Sequence, residues 1–357
     1  MEADYAKRRD RLREALYAHN VDAMLVSSAA NRFYLSGFEL HDVQSDESAG
    51  VLVIASDGRT YLLTDPRYAD AAKRCFSDDE IRIYTKDSMA LLGATLRSCG
   101  KSIALETKQC SLAFCRSLHE KQPDLAFVSG DGWVEELRAV KDAYEIACLE
   151  ESFALNHTLL LWIEDELRHG MDEAKIAWKI ESFFREHGAQ ELAFPSIVAV
   201  NQNAALPHAI PGETLLTDNA LILLDVGCRV RNYCSDQTRT LWFGGSPSKR
   251  FEEVYALVRE AQVAAISSMK PGEPASQVYA RARSVFEKHG CQDHFTHGLG
   301  HGVGLATHEA PSLSSRSQTI LLPGHVVTVE PGLYYPDWGG VRIEFTVLVT
   351  DDGVRIL

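Results

Sequence analysis

No stretch of this sequence approaches the ~18 consecutive apolar residues of a membrane-spanning helix, and none of its eight cysteines is spaced as CxxC. Positive charge is also in deficit: Lys plus Arg number 36 against 50 for Asp plus Glu, a formal net charge of -14. The first lack argues against a helical membrane protein. The second leaves Cys75, Cys99, Cys110, Cys115, Cys148, Cys228, Cys234 and Cys291 scattered in a chain too long to need a disulfide framework, so reduced thiols are expected. The charge balance argues against nucleic acid or an anionic membrane as the main partner. The opening segment MEADYAKRRDRLREAL is charged and amphipathic and lacks an apolar h-region, and the expectation is a cytoplasmic, unprocessed protein.

What is present is enough apolar material, 45% of 357 residues, for two ordinary domains. An opening helix stacks Leu12 and Leu16 on one face. Apolar runs of strand length follow at residues 23–26, 50–54, 61–64 and 81–84, separated by turn-like and helix-like stretches. That alternation predicts a small α/β domain over residues 1–135. From Asp142 the texture changes to longer helices. One carries Ile146, Leu149, Phe153 and Leu160; the next runs from a candidate N-cap, Asp172, to a candidate C-cap, Gly188. Strands are predicted over 220–243, then helices around Val254 and Val258 and around Val278 and Ala282, then strands over 326–350. No sequence repeat is found, but the order of elements within 136–357 is duplicated.

The chemistry-bearing residues sit at the ends of apolar runs. LILLDVG carries a buried strand directly into Asp225, and Asp236 is expected mid-strand in NYCSDQTRT, where a hairpin could set the two acids side by side. Taken alone, either aspartate is ordinarily a turn or strand-end residue. Two close carboxylates repel unless they share a proton or a cation. HGLGHGVGLATHE, residues 297–309, interleaves histidine with glycine in a way no ordinary core strand does, and glycine permits close backbone approach. In VVTVEPG, Glu330 repeats the placement of Asp225. In GVRIEFTVLVT, alternation sets Val341, Ile343, Phe345, Val347 and Val349 on one face and Arg342, Glu344 and Thr346 on the other. A carboxylate-rich set with one imidazole suits divalent ions such as Mn(II), Co(II), Fe(II) or Zn(II) rather than a thiolate-bound structural zinc. Four negative ligands balance two such cations, and a two-metal site is suited to amide hydrolysis.

These motifs, in this order, resemble the M24 metallopeptidase family of pita-bread fold, in its Xaa-Pro aminopeptidase and Xaa-Pro dipeptidase (prolidase) branch. HGLGHGVGLATHE resembles the histidine signature of that branch, DVGCRVRNYCSDQTRT its two-aspartate motif, and VEPGLY and RIE its glutamate motifs. With FPSIVAVNQNAALPH upstream, the resemblance spans roughly residues 140 to 357. It implies a creatinase-type α/β domain over 1–135 followed by an α+β catalytic domain over 136–357. It makes Asp225 a ligand of one divalent ion, His301 and Glu330 ligands of the other, and Asp236 and Glu344 bridges between them. Glu330 would also shuttle a proton for a metal-bridging hydroxide. His208 and His308 would steady the charge developing on the substrate carbonyl, His297 would lie near the prolyl side, and Arg342 would belong to the surrounding polar network. The ions are expected to be two, Mn(II) first. The partners implied are small peptides with proline second and a second copy of the chain in a homodimer.

The sequence departs from the family pattern at Phe345, where an aspartate is common, and at Thr307, where a β-branched aliphatic is usual. A dipeptidase must also recognise a free carboxylate, which an arginine does well. Arg316 is the candidate, but the position where some dipeptidases of the family carry arginine is Ser312. The aminopeptidase reading is therefore preferred, with the dipeptidase as alternative. A creatinase-type hydrolase or a non-catalytic scaffold on the same fold would not need the complete ligand set. Methionine aminopeptidase fits less well, because that branch usually lacks the N-terminal domain.

Overall fold

The computed structural model describes residues 2–42, 47–84 and 86–357, and the chain divides into two compact units, Met1–Arg138 and Ala139–Leu357. The first unit is built on a six-stranded sheet. Its strands are β1 (Ala23–Val26), β2 (Val51–Ala55), β3 (Thr60–Thr64), β4 (Ile81–Ile83), β5 (Ser102–Leu105) and β6 (Ala126–Ser129), in the order β4-β3-β2-β1-β5-β6. The pairs β1–β5, β5–β6 and β3–β4 are parallel, while β1–β2 and β2–β3 are antiparallel. Its helices are α1 (Tyr5–Ala18), α2 (Ala29–Ser36), α3 (Ala69–Ala72), α4 (Ser88–Cys99), α5 (Leu112–Lys121) and α6 (Trp133–Ala139). Leu25, Val53, Ile103 and Leu105 of the sheet pack with Leu92, Leu96 and Leu118 in one core. Leu12 and Leu16 are the buried leucines of α1, as the spacing predicts.

The second unit opens with α7 (Ala143–Glu166), started by a capping box in which the Asp142 side chain accepts from Glu145 N–H and Glu145 accepts from Asp142 N–H. Helix α8 (Glu173–Glu186) follows, capped by Asp172. Strands β7 (Glu191–Leu192), β8 (Ile197–Val200), β9 (Ala220–Val226), β10 (Cys228–Val230), β11 (Tyr233–Cys234) and β12 (Gln237–Phe243) come next, then α9 (Lys249–Ser268) and α10 (Ala275–Lys288). The chain ends in β13 (Gly300–Gly302), β14 (Glu309–Leu313), β15 (Val326–Val329), β16 (Gly332–Tyr335), β17 (Gly339–Arg342), β18 (Phe345–Val349) and β19 (Val354–Ile356). The sheets run β11-β10-β7, β12-β9-β8, β14-β13-β15-β18-β19 and β16-β17. Among the described residues no helix is long and apolar enough to cross a membrane.

Strand β9 explains why a carboxylate is found inside. Its residues are all buried and alternate between two cores. Ile222, Leu224 and Val226 face Ile163, Ile180 and Phe184 of α7 and α8, while Leu221 and Leu223 face Val258, Ala261 and Val278 of α9 and α10. Asp225 has the parity of Leu221 and Leu223. From the same side Gln262, fully buried on α9, donates to the carbonyls of Ile343 at 2.9 Å and Val329 at 3.4 Å, the residues just before Glu344 and Glu330.

Two local expectations fail. Asp236 is not mid-strand: it lies in the break between β11 and β12. There the chain passes from the sheet of β10 and β11 to that of β9 and β12, and a Cβ at Gly227 would strike the Ser235 carbonyl. The continuous alternation expected through residues 340–350 is likewise interrupted at Ile343 and Glu344. Phe345 leaves the apolar face and sits partly exposed beneath the guanidinium groups of Arg239 (4.6 Å) and Arg259 (5.5 Å).

Replacing Gln262 by Ala withdraws a buried donor from both carbonyls. A loss of about 1–3 kcal/mol is expected from a urea or thermal melt, and an unchanged melt would show that the two glutamate-bearing strand ends do not depend on α9.

Candidate metal centre and substrate cavity

Asp225, Asp236, His301, Glu330 and Arg342 line one cavity of about 550 Å³ in the second unit. One oxygen each of Asp225, Asp236 and Glu344 fall within 4.8 Å of one another. His301 Nε2 stands 3.6 Å from Asp236 Oδ2 and 3.4 Å from Glu330 Oε1, which brings the remaining pair to the same place. The five residues arrive from the end of β9, the break before β12, the middle of β13, the end of β15 and the break before β18. Close approach of β13 needs glycine: a Cβ at Gly300 would strike the Thr328 carbonyl.

The surroundings tie these groups to one another. Arg342 Nη2 donates to Asp225 Oδ2 at 2.6 Å and its Nε to Thr238 Oγ1 at 3.0 Å; Thr238 in turn donates to Glu344 Oε2 at 2.8 Å. Thr328 Oγ1 accepts from His301 N–H at 3.0 Å and donates to Glu330 Oε1 at 3.2 Å. Arg342 Nη1 donates to the Tyr334 hydroxyl at 2.9 Å, which lies 2.9 Å from His297 Nε2. His297 Nδ1 is 2.6 Å from the Gly298 carbonyl oxygen, which can only accept, so Nδ1 carries the proton and Tyr334 donates to Nε2. Thr238, Tyr334 and Gln262 escaped the sequence reading. Thr238 and Tyr334 stand two and four residues beyond Asp236 and Glu330 inside motifs already singled out, while Gln262, on an amphipathic helix, carries no local signal.

Whether this set suits divalent cations is decided by what it lacks. Asp225 Oδ1 and Glu344 Oε1 are buried and accept no hydrogen bond from any described residue. Burial, and then the neighbouring carboxylates, hold Asp236 and Glu344 well above the usual carboxylate range. Burial likewise pushes Glu330 up to about 7 against the opposing pull of Arg342. His301 Nδ1 sits 3.0 Å from the Gly302 carbonyl and carries the proton, so the Nε2 lone pair points at two carboxylate oxygens. Burial and then His308 push His301 down to about 4, keeping it neutral. Orphaned oxygens, crowded carboxylates and an imidazole lone pair with one focus form a donor set that fits divalent ions.

The other sequence candidates divide. His208 and His308 are exposed, and both line the cavity; the His308 ring meets His301 edge to face at 4.2 Å between centroids. Burial and then His208 lower His308. His297 lines the cavity and is pushed down to about 4, first by burial. Arg316 is exposed in the turn after β14 and is absent from the lining, whereas Ser312 is part of it.

Residues 147–351 match the family model of metallopeptidase family M24, and residues 8–140 match that of the creatinase/prolidase N-terminal domain. The chain belongs to metallopeptidase family M24: a creatinase-type N-terminal domain followed by a pita-bread catalytic domain, and hence a hydrolase. An uncharacterized peptidase of Bacillus subtilis is 34% identical over 349 residues, 98% of this chain and 96% of that one. An Xaa-Pro dipeptidase of Pyrococcus horikoshii is 31% identical over 344 residues, 96% and 94% of the two chains. The solved Xaa-Pro dipeptidase from Bacillus anthracis superposes with a TM-score of 0.92 at 32% identity, covering 99% of this chain and 97% of that one. The X-Pro aminopeptidase from Thermotoga maritima gives 0.84 at 33%, covering 94% and 95%.

Because Asp236, Glu344 and Glu330 keep their protons to higher pH than free carboxylates do, an entering cation must displace them. The apparent affinity of the chelator-treated protein for Mn(II) is expected to rise with pH from acid through neutrality, with net proton release measurable by calorimetry in buffers of different ionisation enthalpy. An affinity flat from roughly pH 5 to 8 would contradict the crowding of these groups.

Proposed function

We propose that this metallopeptidase is an Xaa-Pro aminopeptidase, removing the N-terminal residue from peptides whose second residue is proline. Two divalent ions, Mn(II) first among Mn(II), Co(II), Zn(II) and Fe(II), would be held by Asp225, Asp236, His301, Glu330 and Glu344. The relatives named as Xaa-Pro dipeptidases and X-Pro aminopeptidases support the substrate class. The observation that carries the choice between them is the cation content of the cavity. Among its lining residues Arg342 is the sole lysine or arginine, and its guanidinium is committed to Asp225, Thr238, Tyr334 and the Pro207 carbonyl. Nothing cationic in the lining is left to hold the free carboxylate of a dipeptide. The dipeptidase reading remains the alternative, with Arg316 the residue it would need.

When bound, two such ions supply Lewis acidity that polarises the scissile carbonyl and makes water nucleophilic at neutral pH. Glu330, in the cavity wall beside His301, is suited to take a proton from the attacking water and deliver it to the departing prolyl nitrogen. His208 and His308, at the open side of the cavity, are suited to donate to the carbonyl oxygen as negative charge gathers on it. His297 has both ring nitrogens committed, to Gly298 and Tyr334, so it offers a prolyl residue its ring face. Eight unpaired cysteines are in keeping with a cytoplasmic protein, and a homodimer completes the proposal.

The first test is N-terminal residue release from an Xaa-Pro dipeptide and an Xaa-Pro-Xaa-Xaa tetrapeptide, by chelated protein with and without Mn(II). Metal-dependent cleavage of the tetrapeptide is expected; cleavage of the dipeptide alone would make the enzyme a prolidase and bring Arg316 back. Glu330→Gln should retain the fold and lower kcat by about 10²–10⁴-fold, and full activity would remove Glu330 from proton transfer.

A further inference from the structure

His208 is carried by a loop whose two ends are gathered by a single buried side chain. Glu173, fully buried at the start of α8, accepts at Oε1 from Val200 N–H (2.7 Å) and Asn203 Nδ2 (3.0 Å). At Oε2 it accepts from Asn203 Nδ2 (3.2 Å) and Gly212 N–H (3.0 Å). All of these partners are donors, the surroundings a carboxylate requires. The first turn of α8 adds two more clasps. Its N–H groups have no partner within the helix, and those of Glu173 and Ala174 donate to the carbonyls of Thr214 at 3.1 Å and Gly212 at 3.0 Å. The residues leaving β8 and those returning toward β9 are thus pinned to one point.

Between the clasps the chain turns at residues 206–209, closed by Ala209 N–H donating to the Leu206 carbonyl at 3.1 Å. Pro207 occupies the second position of that turn, where its fixed φ is favoured. Ala209 is buried in the core of α9 and α10, while its neighbours His208 and Ile210 are exposed and line the cavity. Arg342 Nη1 donates to the Pro207 carbonyl at 3.2 Å, a tie at the tip that complements the clamp at the base.

We infer that Glu173 is a positioning residue: by clamping both ends of the 201–214 loop it holds the His208 imidazole at the cavity and acts on catalysis only through it. The inference rests on the role proposed above for His208. A group aimed at developing charge that drifts by about 1 Å costs on the order of 10²-fold in rate, so the clamp is expected to govern kcat.

The test is a double-mutant cycle on tetrapeptide cleavage by the metal-loaded enzyme. Glu173→Gln conserves size but turns an NH2 toward the N–H of either Val200 or Gly212, opening one end of the clamp. On the order of a ten- to hundredfold fall in kcat is expected, with metal stoichiometry unchanged by elemental analysis. In a His208→Ala background the same substitution should cost less than about twofold, since nothing remains for it to position. If Glu173→Gln does not fold, Asn203→Ala removes the amide's bonds to Glu173 and to Thr214 Oγ1 (2.8 Å) while leaving Val200 and Gly212 on the carboxylate, and a smaller fall with the same non-additivity is expected. Losses that add in the double variant, lost metal, or full activity of the folded single variant would overturn the inference. A fully active His208→Ala would instead overturn the role of His208, and the inference with it.

Discussion

The catalytic unit is organised around an electrostatic conflict. Asp225, Asp236, Glu330 and Glu344 are brought together, largely buried, about one cavity, and the His301 lone pair is aimed at the same point. Two unit charges about 4 Å apart cost about 4 kcal/mol at the effective dielectric of a protein's partly wet interior. Several such pairs are more than a fold of ordinary stability tolerates without compensation. Arg342 supplies part of it through Asp225. The rest comes from protons, which the raised carboxyl groups would carry, or from cations, which the buried, unpartnered oxygens of Asp225 and Glu344 await. Affinity for divalent ions, which the family implies, would be the other face of this conflict, because energy spent in assembling the acids would be recovered when charge arrives.

Holding such a cluster requires that its members come from stiff backbone. Strand β9 is clamped between two apolar cores, so Asp225 cannot retreat without displacing packed side chains. The other carboxylates stand at strand ends or in breaks between strands, where a side chain can turn inward without facing a ladder partner. Gln262 bonds the carbonyls before two of them, and Thr238 and Thr328 each bond a carboxylate as well as a second member of the cluster. The threonines suit that role because one hydroxyl both donates and accepts.

The residues that cluster in the cavity were legible in the sequence because an acid directly after an aliphatic run, or a histidine among alternating glycines, breaks the pattern that burial imposes. The helix start at Asp172 was legible for the same kind of reason: a capping side chain is a local signal. The interruptions at Ser235–Asp236 and Ile343–Glu344 were not. Both faces of the strands are buried there, so alternation carries no mark of where one sheet yields to another. Phe345 was misread on the same ground, its companions being Arg239 and Arg259 rather than the core. Thr238, Tyr334, Gln262 and Glu173 owe their importance to partners far away in the chain. No window of sequence contains both halves of the bond Gln262 makes with Ile343, or of the bond Glu173 makes with Gly212.

The proposed preference for proline follows from what the cavity withholds. Phe194, Pro195, Ile197 and Pro207 line it with apolar surface. His297, neutral and with both nitrogens occupied, adds a ring face rather than a hydrogen-bonding edge. Such a surface gains from a compact ring and withholds that gain from an open-chain residue. Proline brings the ring and no N–H. Discrimination of this kind rests on the fit of a compact ring to apolar surface, and the polar groups of the site are left for the reacting atoms.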